Sequence, residues 1–315
     1  MNKVSNVGTQ FKQAHFNRCE RLFSAIVEAP NFNANAQTGT IFAAELVDFL
    51  RMNLRSILIG SAQELLTTIA AVERRFPDFA QYCAARPRST HLRFRQEMDN
   101  LCKLIESLFD YDAFSLKSTQ HGAYALIREY NQRLCPYCLL HHANYHLSNG
   151  RGQFTMRPPL DHFYPHKKYP YLSISISNLI PACHQCNSSV KGSQDPLTKQ
   201  IPHPLIPAQK VSISYKCESA LPPSRIHSPD DFSIELKGDD EESDAYVEFF
   251  KLADRYRWYG PELMDLYRRY QRYIELEPAL QQAIRRSEFL LGFPPTDVKG
   301  RALGAVLKGV VDELP

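Results

Sequence analysis

Two Cys-x-x-Cys pairs, Cys135/Cys138 and Cys183/Cys186, constrain this chain more than any other feature. Each pair can offer two thiolates to one metal ion, and four thiolates make a closed tetrahedral Zn²⁺ site with no open coordination position. A site of that kind is structural and contributes folding energy. It would clamp two distant stretches into one small module and bring whatever lies between them close together. His141, His142, His146 and His184 stand near enough in sequence to be alternative ligands. A redox role for CPYC needs a strand–helix context, which the helical pattern before Cys135 does not supply.

The remaining composition is permissive. A chain of 315 residues, 43% hydrophobic and 23% charged with a net charge of +3, is expected to build one large or two smaller globular domains. Charge is uneven along it. From Arg151 to Lys216 eight Lys/Arg face two Asp/Glu, a net +6, whereas from Cys217 to Asp244 nine acidic face two basic residues, a net −7. The positive stretch suits a polyanionic substrate. The opening MNKVSNVGTQ has no apolar run followed by a cleavage site, so a cytoplasmic protein is expected. Cys19, Cys83, Cys102 and Cys217 are then read as reduced thiols. No GxxxxGK[ST] occurs, so no nucleotide site is expected.

Pattern divides the chain into four. Residues 1–130 form an N-terminal helical region, opening as a loose arm with a short helix near Phe11–Val27. Apolar residues then recur at helical spacing from Phe42 to Arg75 up to Pro77, and further helices are expected over Leu92–Phe109 and Gly122–Leu134. Residues 131–200 are the Cys-bracketed module. Residues 201–244 are Pro-rich, with strand patterns VSISYK at 211–216 and FSIEL at 232–236 followed by the acidic turn KGDDEESD. Residues 245–315 are helical again, with a break at Gly260-Pro261. Tyr267, Tyr270 and Tyr273 are read as one buried stripe with Arg on the opposite face. Four Arg between Arg86 and Arg95 suit either phosphate contact or a solvated linker. The fold class expected is therefore mainly α with a small α+β insert.

Inside the module, LDHFYP sets a carboxylate beside an imidazole, and an extended backbone points them to opposite sides. Asn178 lies just ahead of the second Cys pair, and Asn187 just after it, at the expected start of a helix with Lys191 near that start.

The ordered pattern LDHFYP…NLIPACHQCNSSVKG resembles the HNH endonucleases, the ββα-metal nuclease fold in its zinc-knuckle form, over roughly residues 130–196. The resemblance implies that His162 is the general base and that Asn178 orients it through the backbone. It implies that Asp161 and Asn187 ligate one catalytic Mg²⁺ or Mn²⁺, with Zn²⁺ held by Cys135, Cys138, Cys183 and Cys186. A base near neutral pH and a cation at the phosphoryl oxygens are what phosphodiester hydrolysis needs. Lys167, Lys168, Lys191 and Arg157 are candidate phosphate contacts that set affinity and salt dependence. The layout is similar to stand-alone HNH proteins of bacterial anti-phage defence, such as the Septu or retron-associated nucleases, which implies a separate ATPase or other defence partner docking on the helical flanks. DNA is the expected substrate. RNA such as tRNA, or a non-catalytic zinc-stabilised adaptor, are the rival readings.

Overall fold

The computed structural model describes residues 7–86, 91–116, 121–146, 155–206, 211–219, 228 and 231–314. Helices dominate it. In order come α1 (Thr9–Val27), α2 (Ala34–Thr38), α3 (Ala43–Met52), α4 (Leu54–Ile59), α5 (Ala62–Arg75), α6 (Pro77–Ala85), α7 (Leu92–Leu108), α8 (Tyr111–Ser115) and α9 (Gly122–Tyr130). The module then supplies strands β1 (Leu160–His162) and β2 (Leu179–Pro181) and a π-helix, Gln185–Lys191. Strands β3 (Ile213–Ser219) and β4 (Phe232–Gly238) pair antiparallel, as the alternation at 211–216 and 232–236 predicts. The chain closes with α10 (Glu241–Phe249), α11 (Leu252–Tyr256), α12 (Gly260–Ile274), α13 (Pro278–Ala283), α14 (Arg286–Leu291) and α15 (Gly304–Glu313). Among the described residues no helix is long and apolar enough to cross a membrane.

Several expectations change in detail. From Thr9 onward the opening region is an ordered helix, and α1 buries His15, Cys19 and Phe23; residues 1–6 lie outside the described residues. The run from Phe42 to Arg75 is three helices, because the chain turns at Asn53 and again at Gly60-Ser61. A side chain at Gly60 would meet Ser56 O at 2.3 Å, so glycine closes α4. Ser61 then opens α5 with a reciprocal capping box to Glu64. KGDDEESD is a helix start as well as a turn: Asp240 accepts from Ser243 N–H as the N-cap of α10, and Ser243 is buried. In α12 Tyr267 is buried and Tyr270 and Tyr273 half-buried, with the Arg286 guanidinium over both half-buried rings. Of the arginine cluster, Arg93 pairs with Glu97 and Arg95 with Asp99, while Arg88 lies outside the described residues.

One hydrophobic core runs through all four sequence regions, from Val7 in the first to Val311 in the last. The module is fastened to its flanks by polar bonds as well. On one side, Ser175 Oγ donates to Ile57 O, Ser177 Oγ to Gly60 O at 2.5 Å and Tyr130 OH to Ile176 O at 2.8 Å. On the other, Tyr246 OH donates to Tyr137 O at 3.1 Å and Tyr256 OH to Cys138 O at 2.6 Å. The segment 131–200 is thus wedged between the N-terminal helices and α10–α11.

Candidate functional site

The four cysteines come together as the spacing predicts. All are buried, and their Sγ atoms lie within 4.8 Å of one another. Cys138 Sγ and Cys183 Sγ are 3.9 Å apart, close to the edge of about 3.8 Å of a tetrahedron with Zn–S of about 2.3 Å. The donor set and its spacing fit one structural Zn²⁺. None of the module's histidines joins the cluster among the described residues. Arg255 on α11 stands beside it with Nη1 3.2 Å from Cys186 Sγ, where its charge offsets that of four thiolates around a divalent ion. Nothing in the spacing of the Cys pairs announces that arginine.

Strand β1 pairs with β2 in the register Leu160–Pro181, Asp161–Ile180 and His162–Leu179, and the chain then passes through the second Cys pair into the π-helix. The stretch between, read as alternating, instead forms short 3₁₀ turns over Pro170–Leu172 and Ile176–Asn178. Serine hydroxyls hold this stretch, bonding carbonyls locally at Pro170 and across to Ile57 and Gly60. Asn178 is wholly buried and acts as a clasp. Its Oδ1 accepts from Tyr164 N–H at 2.7 Å, and its Nδ2 donates to Tyr164 O at 3.0 Å and Leu172 O at 3.1 Å. It thereby ties the loop after His162 to the loop that supplies His162's partner.

That partner is Ser173 O, which accepts from His162 Nε2 at 2.8 Å. The bond fixes the neutral tautomer, leaving Nδ1 with its lone pair. Burial first, then the neighbouring His166 and Lys191, push the His162 pKa down to about 3, against the pull of Ser173 O. The ring is 9% exposed, with the Tyr111 ring edge-on 4.5 Å away and the His166 ring 4.8 Å away. All three line a cleft of about 810 Å³ together with Arg86, Arg157, Asp161, Lys167, Lys168, Asn187 and Lys191. Tyr111 and Arg86 come from the N-terminal helices, so that region forms one wall of the cleft. His166, four residues after His162 in LDHFYPH, is a second imidazole that the sequence displays without marking its place in the cleft.

The two residues given to a catalytic divalent ion are placed differently from expectation. Asp161 is 2% exposed. Its Oδ1 accepts from Lys191 Nζ at 3.0 Å and its Oδ2 from the Tyr137 hydroxyl at 2.7 Å. Burial pushes the carboxyl up, while the Lys191 ammonium and the Tyr137 hydroxyl pull it back. Asn187, half-buried in the cleft wall, donates to Ser188 Oγ at 3.4 Å. Mg²⁺ takes octahedral oxygen ligands at about 2.1 Å and would stand against the Lys191 charge already bound to Asp161. As arranged, these side chains do not fit that ion.

The candidate phosphate contacts also separate. Lys167 is exposed on the cleft rim. Lys168 is held by Asp195 at 2.6 Å, and Arg157 lies over the Tyr124 ring and donates to Pro158 O. Lys191 differs most. It ends the π-helix instead of standing near a helix start, and it is buried, so it is not a surface phosphate contact.

No family model matches the chain, and no match was found among curated proteins or solved structures.

Proposed function

We propose that the chain is an HNH-type endonuclease that hydrolyses phosphodiester bonds in DNA, with a zinc-clamped ββα module carrying the reaction and His162 as its general base. The observation that supports this most is the His162–Ser173 bond at the floor of a cation-lined cleft. It presents a neutral imidazole nitrogen, held in one orientation, to an anionic substrate.

In this reading Nδ1 of His162 takes a proton from the water that attacks phosphorus. A phosphate seated in the cleft brings negative charge next to the ring and raises its proton affinity, as any neighbouring anion does. Arg86, Arg157, Lys167 and Lys168 hold the strand along the cleft and add affinity without sequence choice. Asn178 acts at one remove, by keeping Ser173 O against the ring. Protein partners docked on the helical flanks would gate access, as the anti-phage resemblance implies.

The experiment is cleavage of a plasmid and of a folded RNA by the wild type and by His162→Ala, with zinc measured on both proteins. Cleavage of the plasmid lost in the variant at unchanged zinc supports the reading. Equal cutting by both proteins removes His162 as the base, and cutting of RNA alone moves the substrate to RNA.

A further inference from the structure

The cation of a phosphodiesterase centre must sit between the protein's oxygen donors and the phosphoryl oxygens. Here one positive charge already stands against such donors. Lys191 Nζ donates to Asp161 Oδ1 at 3.0 Å and to His162 O at 2.8 Å, one carboxylate and one carbonyl oxygen on consecutive residues. The lysine is 1% exposed, and its ion-pair partner is equally enclosed.

The backbone is built to deliver it. A π-helix over Gln185–Lys191 widens the turn after the second Cys pair, and the Gly192 N–H closes it by bonding to Asn187 O at 3.0 Å. Gly192 adopts φ +52° and ψ −127°, a conformation for glycine alone, and lets the chain leave at once. Lys191 is therefore turned inward against β1. The second oxygen of Asp161 is occupied by Tyr137, and Asn187 is engaged with Ser188.

We propose that the Lys191 ammonium is the resident cation of this centre: it occupies the Asp161 carboxylate, which the resemblance gives to a divalent ion shared with Asn187, and bridges it to the His162 carbonyl. An ammonium has three N–H donors. Two are bound to these oxygens, so the positive charge is fixed in the wall of the cleft that Lys191 lines. The assignment rests on the phosphodiesterase reading for its meaning, but not for its test.

The test is Mn²⁺ binding by the zinc-loaded full chain, read as paramagnetic broadening of isotope-labelled histidine ring signals. A His166→Ala background removes the exposed imidazole beside the site. In that protein Mn²⁺ should broaden His162 no more than it broadens His15, which is on the buried face of α1. Lys191→Met should open Asp161, so that Mn²⁺ broadens His162 selectively, and adding Asp161→Asn should reverse this. Selective broadening of His162 with Lys191 present overturns the proposal. A folded Lys191→Met protein in which His162 stays sharp overturns it too. Should Lys191→Met not fold, the Lys191-containing protein decides alone: equal broadening of His162 and His15 supports the assignment, and selective broadening of His162 ends it. A chain with this Mn²⁺ pattern that cuts no nucleic acid would sink the proposed function and leave the cation assignment standing.

Discussion

The Tyr137 hydroxyl donates to the Asp161 carboxylate at 2.7 Å from inside the first Cys-x-x-Cys pair. The turn that presents Cys135 and Cys138 therefore also positions the buried acid beside His162. Phe250, which caps the C-terminus of α10, stacks on the Tyr137 ring with centroids 4.6 Å apart, holding it from behind. Tyr137→Phe keeps that packing and leaves Asp161 Oδ2 buried without its donor. We expect a loss of about 1–3 kcal/mol in denaturant unfolding at unchanged zinc content.

Zinc should be bound at one ion per chain, and Ser at any of Cys135, Cys138, Cys183 or Cys186 should abolish stoichiometric binding. Arg255→Met removes the charge beside Cys186 together with a bond to Phe250 O. Zinc affinity should then fall by about 10–100-fold, as for other groups that support metal ligands. Competition with a chromophoric chelator would show it, and unchanged affinity would mean that Arg255 serves packing alone.

Asn178→Ala removes three bonds from a fully buried clasp and leaves the Tyr164 N–H and C=O without these partners, while Leu172 O keeps the Ser175 N–H. The expected destabilisation is about 3 kcal/mol or more. Cleavage should fall further than stability alone explains, because Ser173 O is no longer held against His162. A variant that stays folded with full activity would remove Asn178 from the positioning of the base.

Acid should weaken the fold through histidines as well as thiolates. Burial pushes His15 down to about 4, against the pull of Ile174 O, and pushes His203 down to about 3. Both pKa values lie below that of an unfolded histidine, so the unfolded chain binds more protons. Their contribution is complete above about pH 6.5 and is lost as pH falls through that value towards 4 and 3. Unfolding midpoints followed from pH 7 to pH 5 should decline, and His15→Leu should shallow the decline by one proton's share. An identical slope would show that His15 does not contribute.

If the cleft holds a nucleic-acid backbone, Lys167→Ala should reduce the slope of log affinity against log salt by about 0.7–0.9. Lys168→Ala should reduce it less, since Asp195 already neutralises that charge at 2.6 Å. Equal effects would place both lysines on the phosphates.

What the sequence made legible was local in origin. Cysteine spacing announces the clamp, and the alternation around 211–216 and 232–236 announces a strand pair. Asp161 and His162 lie on β1 and Asn178 immediately precedes β2, so the strand pair brings the three near one another. Lys191 misled because its position depends on a π-turn, one residue wider per hydrogen bond than the helix that its spacing suggested. Tyr111, Arg86 and Arg255 join from distant segments that only the tertiary packing brings near. The breaks at Asn53 and Gly60 hide inside a periodic apolar run, where a capping residue signals less than the hydrophobic stripe around it.

The serines that bond Ile57 O and Gly60 O have a consequence for how this protein can be taken apart. They lie two and four residues beyond Ser173, whose carbonyl holds the His162 ring, so the corner between α4 and α5 is the mount on which His162 is aligned. Excising residues 131–200 would leave an instrument without its bench: zinc would still gather the cysteines and Asn178 would still clasp its loop, but the loop that carries Ser173 would lose its outer anchor. This centre belongs to the whole chain, and it cannot be grafted as a cassette.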